Sequence, residues 1–180
     1  MINKKMSTIL TVTSLFVLVL CTTPLMAGKD FLKNNWQSVS EYYMEAANLM
    51  PEEHFGFKPT KEIFSYAEQL LHVAGGNFFF AAKVKGDKPP KPEDAFKAEG
   101  KSKKEVVALL KESFDYVINV IDQLPEEKIK SKIEFGKKQM PISQILLFAS
   151  EHAIHHRGQM IIYLRLKGIT PPKYRSGFLQ

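Results

Sequence analysis

Apolar side chains recur at helical spacing in four separate stretches of the chain. The first stretch runs from Asp30 to Met50 and is closed by Pro51. The second runs from Thr60 to Val84, and Thr60 is its expected N-cap. Both stretches are long enough for several turns, so the pattern predicts two amphipathic helices.

The other two stretches have clear start and stop signals. Ser102 and Glu105 have the spacing of a capping box, and Pro125 closes the helix that follows. The last helix is expected to begin around Pro141 and to end before Gly168. Four helices of roughly 20 residues each predict an all-α fold, an antiparallel four-helix bundle.

Two connections between the predicted helices are unusual. Residues 86–100 are rich in proline and glycine turn signals, and loops of this length tend to be lids or binding segments. We expect this loop to join helices that are not simple hairpin neighbours. The segment Ile129–Phe135 alternates weakly between apolar and polar residues, which predicts a short extended piece turning at Gly136.

The N-terminus has the layout of a secretory signal peptide. A short basic start precedes an almost unbroken apolar run from Ile9 to Leu20, and small or polar residues follow, with Ala27 as the expected cleavage position. The run is shorter than the ~20 apolar residues of a spanning helix. We therefore expect residues 1–27 to be a signal peptide, residues 28–180 to form one domain, and the product to be periplasmic or extracellular.

Cys21 is the only cysteine of the chain. It allows a lipid anchor, but a lipoprotein signal usually has a small residue before its cysteine, and here Leu20 stands there. A cleaved signal peptide is therefore the preferred interpretation. In either case the domain has no thiolate for a metal, so any ligands must be His, Asp or Glu.

The formal net charge is +6. The lysines are spread along the chain, and the only arginines are Arg157, Arg165 and Arg175. Nucleic-acid binding usually requires a basic stripe with positioned arginines or aromatic side chains. We therefore expect no nucleic-acid partner, and a small molecule as the ligand or substrate.

His152 and His156 carry the most specific chemical signal. Side chains four residues apart lie on one helix face, and this pair falls in the apolar stripe of the last helix. Two imidazoles directed at a core are costly unless something satisfies them. A shared metal ion would do so.

His72, near the middle of the second helix, is the candidate third ligand. Gly75 and Gly76 follow within one turn and could let another helix or a ligand come close. Three histidines and an open position describe a reactive rather than a closed structural metal site. Zinc, nickel and iron all accept imidazole ligands, so the identity of the divalent metal stays open.

Three residues near the pair are candidates for supporting the ligands. His155 points about 100° away from His156, so we expect it behind the ligands or facing solvent. Gln159 is a candidate to orient His155. Arg157 is a candidate to pair with Glu68 or Glu151, or to hold an anionic substrate.

The remaining candidates carry weaker signals. Gly158 lies inside a helix, where glycine costs about 1 kcal/mol relative to alanine, so we expect a neighbour packed closely against it. No residue beyond the three histidines is a convincing general base; Glu68 and Glu151 are weak candidates, and His54 is expected at the surface.

The run from His152 to Gln159, H-x-x-H-H-R-G-Q, with a histidine about eighty residues upstream, resembles the DinB-like superfamily of four-helix-bundle metalloproteins. The segments Leu49–Phe55 and Phe57–Pro59 also resemble that family. The resemblance implies a metal held by His72, His152 and His156. It further implies that the activity is either unestablished or thiol-dependent transfer or isomerisation, as in some members. The family name reflects induction by DNA damage and implies no DNA binding.

Three functions are compatible with these features. The leading hypothesis is an exported metal-dependent enzyme, either a hydrolase or a thiol-dependent transferase. A non-catalytic exported bundle that binds a metal or small ligand in a stress or sensor role is the alternative. In the third hypothesis, the protein is a purely structural bundle whose histidines only form hydrogen bonds. A homodimer is allowed, since dimers are common among bundles.

Overall fold

The computed structural model describes residues 28–174. Its four long helices are α1 (Lys29–Leu49), α2 (Tyr66–Lys85), α3 (Lys103–Gln123) and α4 (Ile142–Leu166). The connection between α3 and α4 contains a two-stranded antiparallel hairpin, β1 (Lys132–Phe135) and β2 (Lys138–Pro141). The four-helix prediction is confirmed, and α1, α3 and α4 begin within about one residue of the expected positions.

The helices α1 and α3 run antiparallel to each other, and so do α2 and α4. The Lys33 ammonium pairs with Asp122 near the start of α1 and the end of α3, while Lys103 at the start of α3 donates to the carbonyl of Asn48 at the end of α1. For the second pair, Gln69 contacts Gln159 and Phe80 contacts Phe148, so residue numbers rise along α2 as they fall along α4.

The other two neighbouring pairs run parallel. Asn77 of α2 donates to Ser113 of α3. In the second pair, Asn35 of α1 donates to Ser150 of α4, and Tyr42 stacks with Arg157. The expectation of an antiparallel bundle is therefore wrong for these pairs, because hydrophobic periodicity defines the buried face of a helix and leaves its direction open.

The α2–α3 connection spans residues 86–102 and joins two parallel neighbours, so it must return along the length of the bundle. This agrees with the expectation that α2 and α3 are not simple hairpin partners. Phe96, in a short 3₁₀ turn of this connection, packs against Gly75 and Phe78 of α2. The loop is thereby held against the same face of α2 that carries His72.

The second helix begins at Tyr66, several residues later than predicted, and the proposed N-cap at Thr60 is wrong. Ser65 is the N-cap: its hydroxyl accepts from the Glu68 N–H, and the Glu68 carboxylate accepts from the Ser65 N–H. The chain thus contains a second S-x-x-E capping box, equivalent to the predicted and observed box at Ser102 and Glu105. The reciprocal box satisfies two backbone donors, which a lone threonine at position 60 cannot do.

The predicted extended segment Ile129–Phe135 is confirmed in part: Lys132–Phe135 forms β1 of the hairpin, whereas Ile129 and Lys130 lie in a 3₁₀ turn. Gly136 has a φ of 63°, the left-handed conformation that the turn between β1 and β2 requires. The fold is therefore a helical bundle with one small hairpin rather than strictly all-α.

The outer face of α4 departs from the amphipathic pattern. Ile154 and Ile162 are exposed on it, and a Cβ added to Gly158 would have nothing within 4 Å. The expectation that a neighbour packs against Gly158 is thus wrong within the described chain. Across residues 28–174, no helix has both the length and the apolar character needed to cross a membrane. The predicted signal peptide and Cys21 lie outside the described residues.

Replacing Ser65 with alanine removes the hydroxyl that caps α2. We expect the free energy of unfolding to fall by about 1 kcal/mol. Thr60→Ala is the matched control, because Thr60 is exposed in the preceding loop, and its effect should stay within about 0.5 kcal/mol. Urea unfolding monitored by circular dichroism measures both, and equal effects of the two substitutions would place the cap elsewhere.

Candidate metal centre

His72 of α2 and the His152–His156 pair of α4 lie together, as the sequence predicts. Each offers one ring nitrogen, and these nitrogens all lie within 4.8 Å of one another. The ring of His72 is 5.0 Å from that of His152 and 4.6 Å from that of His156, centroid to centroid. The antiparallel packing of α2 on α4 produces this convergence, because it brings the middle portions of the two helices side by side.

The spacing of the nitrogens fits a single ion. Metal–nitrogen bonds are ~2.0–2.1 Å long, so two nitrogens on one ion lie at most about 4.2 Å apart. The Nε2 atoms of His72 and His152 are 3.1 Å apart and already meet this condition. The third nitrogen lies within 4.8 Å of both, close to the same limit.

Gly76 permits the close approach of α4 to α2 at this site. A Cβ on Gly76 would lie 2.9 Å from Cε1 and 3.2 Å from Nδ1 of His152, so a larger residue would displace that ring. The two adjacent glycines, Gly75 and Gly76, predicted such a close approach. Gly75 accommodates Phe96 instead, with a Cβ-to-Cδ2 distance of 3.3 Å. The Nδ1 atom of His152 is buried and has no hydrogen-bond partner among the described residues.

Gln69 sets the protonation of one ligand. Its Oε1 lies 2.7 Å from Nδ1 of His156, and a carbonyl oxygen can only accept, so Nδ1 of His156 must carry the proton. The Nε2 lone pair of His156 is then free to bind a metal. Gln69 is only 1% exposed and was missed in the sequence analysis. A polar residue three positions before His72, within an apolar stripe, is the signal that could have found it.

A chain of hydrogen bonds continues from Gln69 to the surface of α4. Its amide Nε2 donates to Oε1 of Gln159 at 2.7 Å, and Nε2 of Gln159 lies 2.8 Å from Nε2 of His155. The Tyr163 hydroxyl lies 3.4 Å from the same Gln69 nitrogen and donates to the carbonyl of Phe64. Gln159 thus contacts both His155, which it was predicted to orient, and the amide of Gln69.

The environment keeps the three candidate ligands neutral. Burial lowers the pKa of all three histidines. For His156, burial and then the neighbouring His152, His72 and His155 rings lower the pKa to about 4. Metal binding requires the unprotonated ring, so near neutral pH the site needs to lose no protons to accept an ion.

The other predicted participants are not part of the group of ligand nitrogens. Arg157 is buried and stacks on the rings of Tyr42 and Tyr174, so it ties α4 to α1. The Glu68 carboxylate caps α2 and pairs with Lys58, and the Lys58 hydrogen bond, followed by the one from Ser65, lowers its pKa. Glu151 is exposed. The ligating group found in the described chain contains no carboxylate.

The site opens into a cavity of about 740 Å³ between α2, α4 and the α2–α3 loop. Its lining includes His72, His152, Phe79, Phe80 and Phe96. A second cavity, of about 400 Å³, also borders His72 and shares Phe96 and Lys97 with the first. His72 thus has solvent-accessible space on two sides.

Fold and site together define a class: a helical bundle with three histidines from two helices grouped at an open cavity. The model of the DinB family matches residues 26–179, and the chain belongs to this family.

Individual relatives agree with this family assignment. The chain is 28% identical to the uncharacterized protein YjoA of Bacillus subtilis over 131 residues, which is 70% of this chain and 82% of YjoA. The crystal structure of YjoA superposes with a TM-score of 0.67 at 24% identity, covering 81% of this chain and 98% of YjoA. The crystal structure of a DinB-like protein from Bacillus cereus superposes with a TM-score of 0.72 at 16% identity. The match covers 84% of this chain and 100% of that protein.

A further structural relative is YfiT of Bacillus subtilis. It is described as a probable metal-dependent hydrolase with an unusual four-helix bundle topology. The TM-score is 0.62 at 15% identity, and the match covers 79% of this chain and 89% of YfiT. At this identity the likeness concerns the fold.

Gly76→Ala should displace His152, since the added Cβ would lie 2.9 Å from its ring. We expect a loss of stability of about 1–3 kcal/mol from overpacking, together with weaker zinc or nickel binding. Gly75→Ala is the matched control, because its Cβ would meet only the Phe96 side chain of the loop. Thermal unfolding and isothermal titration of the metal-free protein measure both effects. Equal metal affinities in the two variants would contradict the role given to Gly76.

Gln69→Leu removes the acceptor for His156 Nδ1 while keeping side-chain size. We expect metal affinity to fall by about 10–100-fold, as is usual when the partner of a ligating histidine is lost. Gln159→Leu breaks the chain one step further out and should cost less. Competition titration against a chelator of known affinity measures both, and a Gln69→Leu protein that binds as tightly as the parent would refute the assignment.

Proposed function

We propose that this chain is a divalent-metal-dependent enzyme that acts on a small molecule, with His72, His152 and His156 as the metal ligands. One observation carries the proposal: three neutral imidazoles from two helices converge with their ligand nitrogens within 4.8 Å. Zinc, nickel and iron all suit this donor set. An ion bound there would polarise a substrate oxygen or activate a water molecule.

The accessibility of the site supports an enzyme over a closed structural centre. His72 is exposed, and both cavities border it. Structural zinc sites usually have four protein ligands, whereas three ligands leave a position for water or substrate. The described chain offers three.

The cavity indicates the kind of substrate. Phe79, Phe80 and Phe96 give it aromatic walls, and Lys97 borders both cavities. Such a lining suits a small molecule with an apolar body, whose orientation a few polar groups fix. We propose no nucleic-acid partner.

Two reaction classes remain in the proposal. Hydrolysis is supported by the description of YfiT, which has the same fold, as a probable metal-dependent hydrolase. Thiol-dependent transfer, known in some DinB-like proteins, is the other. A hydrolase should be active without added thiol, whereas a thiol-dependent transferase should be active only when a thiol is added.

A non-catalytic binding bundle is the second candidate, and the contacts of the Glu68 carboxylate favour it. Glu68 lines the second cavity with His72, but its carboxylate already accepts from the Ser65 N–H and pairs with Lys58, and Glu151 is exposed. Under this proposal the bundle would sense or store the ligand.

We further propose that the protein is exported to the periplasm or the cell exterior. The basic start, apolar run and Ala27 of residues 1–27 support export. A lipid anchor at Cys21 is the less favoured form of the same proposal. Mass spectrometry of the native protein distinguishes a start at Gly28 from a lipidated Cys21.

The protein purified without a polyhistidine tag should contain about one divalent ion per chain, by elemental mass spectrometry. His72→Ala and His156→Ala should lose it, since each removes one of three ligands. His54→Ala is the matched control, because His54 lies in the α1–α2 connection outside the cluster, and it should retain the metal.

Metal uptake by the parent protein separates the enzyme, the binding bundle and the purely structural bundle. If the parent protein takes up no zinc, nickel or iron and its melting is unchanged by them, the histidines only hydrogen-bond and the metal proposal fails. For a metal-binding protein, cobalt substitution reports the open position. A visible spectrum that shifts on addition of azide or a small thiol supports an enzyme, and an unchanged spectrum supports a closed binding site.

A further inference from the structure

The outer face of α4 carries a stripe of residues that the bundle does not use. Its five residues follow one another at spacings of three, four, four and three positions, so they lie along one side of the helix. They are Glu151, Ile154, Gly158, Ile162 and Arg165. All five are exposed. The buried residues of α4, among them Ala149, Ala153 and Met160, lie on the opposite side.

This stripe has the character of a contact surface. Ile154 and Ile162 are 36% and 52% exposed, and Phe148 and Leu166 extend the apolar area along one edge. Gly158 lies between the two isoleucines, and a Cβ there would meet nothing within 4 Å. Nothing inside residues 28–174 therefore explains a glycine in the interior of this helix, whereas a closely packed second helix outside the chain would.

The spacing of the stripe is symmetric about Gly158. Ile154 and Ile162 lie four residues before and after it, and Glu151 and Arg165 lie seven before and after it. If a second copy of α4 packs antiparallel with Gly158 on the two-fold axis, each Ile154 meets Ile162 of the second copy. A two-fold interface requires this kind of self-complementary surface.

The charges agree with the same register. In this arrangement Glu151 of each copy faces Arg165 of the other, which gives two opposite-charge pairs at the ends of the stripe. Neither side chain has an ion pair or side-chain hydrogen bond within the described part of the chain, so both are available. Complementary charges at the edge of an apolar contact fix orientation and register.

We propose that the protein forms a two-fold symmetric homodimer through this stripe, with the two α4 helices crossing antiparallel at Gly158. A second copy is the occupant because the stripe is complementary to itself in both shape and charge. The absence of a side chain at the axis lets the two helix backbones approach closely. The interface uses none of the ligand histidines, so this proposal stands or falls independently of the metal centre.

Charge reversal tests the register. Glu151→Arg and Arg165→Glu each place like charges opposite one another, and each should weaken dimerisation by about tenfold or more. The double variant Glu151→Arg/Arg165→Glu restores opposite charges and should recover most of the parent affinity. Sedimentation velocity over a range of protein concentrations, in reducing buffer, measures the dissociation constants. A monomeric parent at every concentration, or a double variant no better than the singles, would overturn the proposal.

Crosslinking tests the position of the axis. In a Cys21→Ser background, Gly158→Cys places one thiol on each copy at the crossing point, and mild oxidation should give a disulfide-linked dimer. Asp115→Cys on the exposed side of α3 is the control, and it should crosslink far more slowly. Circular dichroism verifies that both variants fold. Equal crosslinking rates in the two folded variants would reject Gly158 as the axis.

Discussion

The antiparallel packing of α2 against α4 is the contact on which the site depends. It brings His72 beside His152 and His156, and it places Gln69 where its carbonyl oxygen accepts a hydrogen bond from Nδ1 of His156. Gly76 makes this packing possible, because only a hydrogen atom fits between the α2 backbone and the His152 ring. The rings lie close, partly buried and neutral, which is costly in an apolar interface unless a partner shares their lone pairs. A bound metal ion would relieve that cost for all three at once.

The direction of the helices gives the site its opening. Because α2 and α3 run parallel, the chain must return along the bundle through residues 86–102 before α3 can begin. This return segment forms one wall of the cavity and places Phe96 on Gly75. A simple hairpin between antiparallel helices would leave no such segment, and the histidines would face solvent without a pocket. The topology thus supplies the binding space, while the helix faces supply the ligands.

Each face of α4 makes a different kind of contact. The inward face contributes two candidate ligands and part of the core, the flank contributes Gln159 and His155 to the hydrogen-bond chain, and the outward face carries the symmetric stripe around Gly158. This division explains why α4 is less clearly amphipathic than a helix with one buried side. It also means that dimerisation would fix the helix that holds two of the three histidines, without touching them.

The sequence by itself determined the four helices, the capping box of α3, the turn at Gly136 and the grouping of His72 with His152 and His156. These features rest on local spacing, and local spacing is fixed by the geometry of the helix and the turn. Only the tertiary structure decided that two helix pairs run parallel, that Ser65 rather than Thr60 caps α2, that Gln69 holds His156, and that Arg157 stacks on Tyr42 away from the cluster. The direction of a helix, and the partner of a buried polar group, depend on which distant segments are packed together. Residues such as Gln69 and Gln159, ninety positions apart, acquire their roles only when that packing is formed.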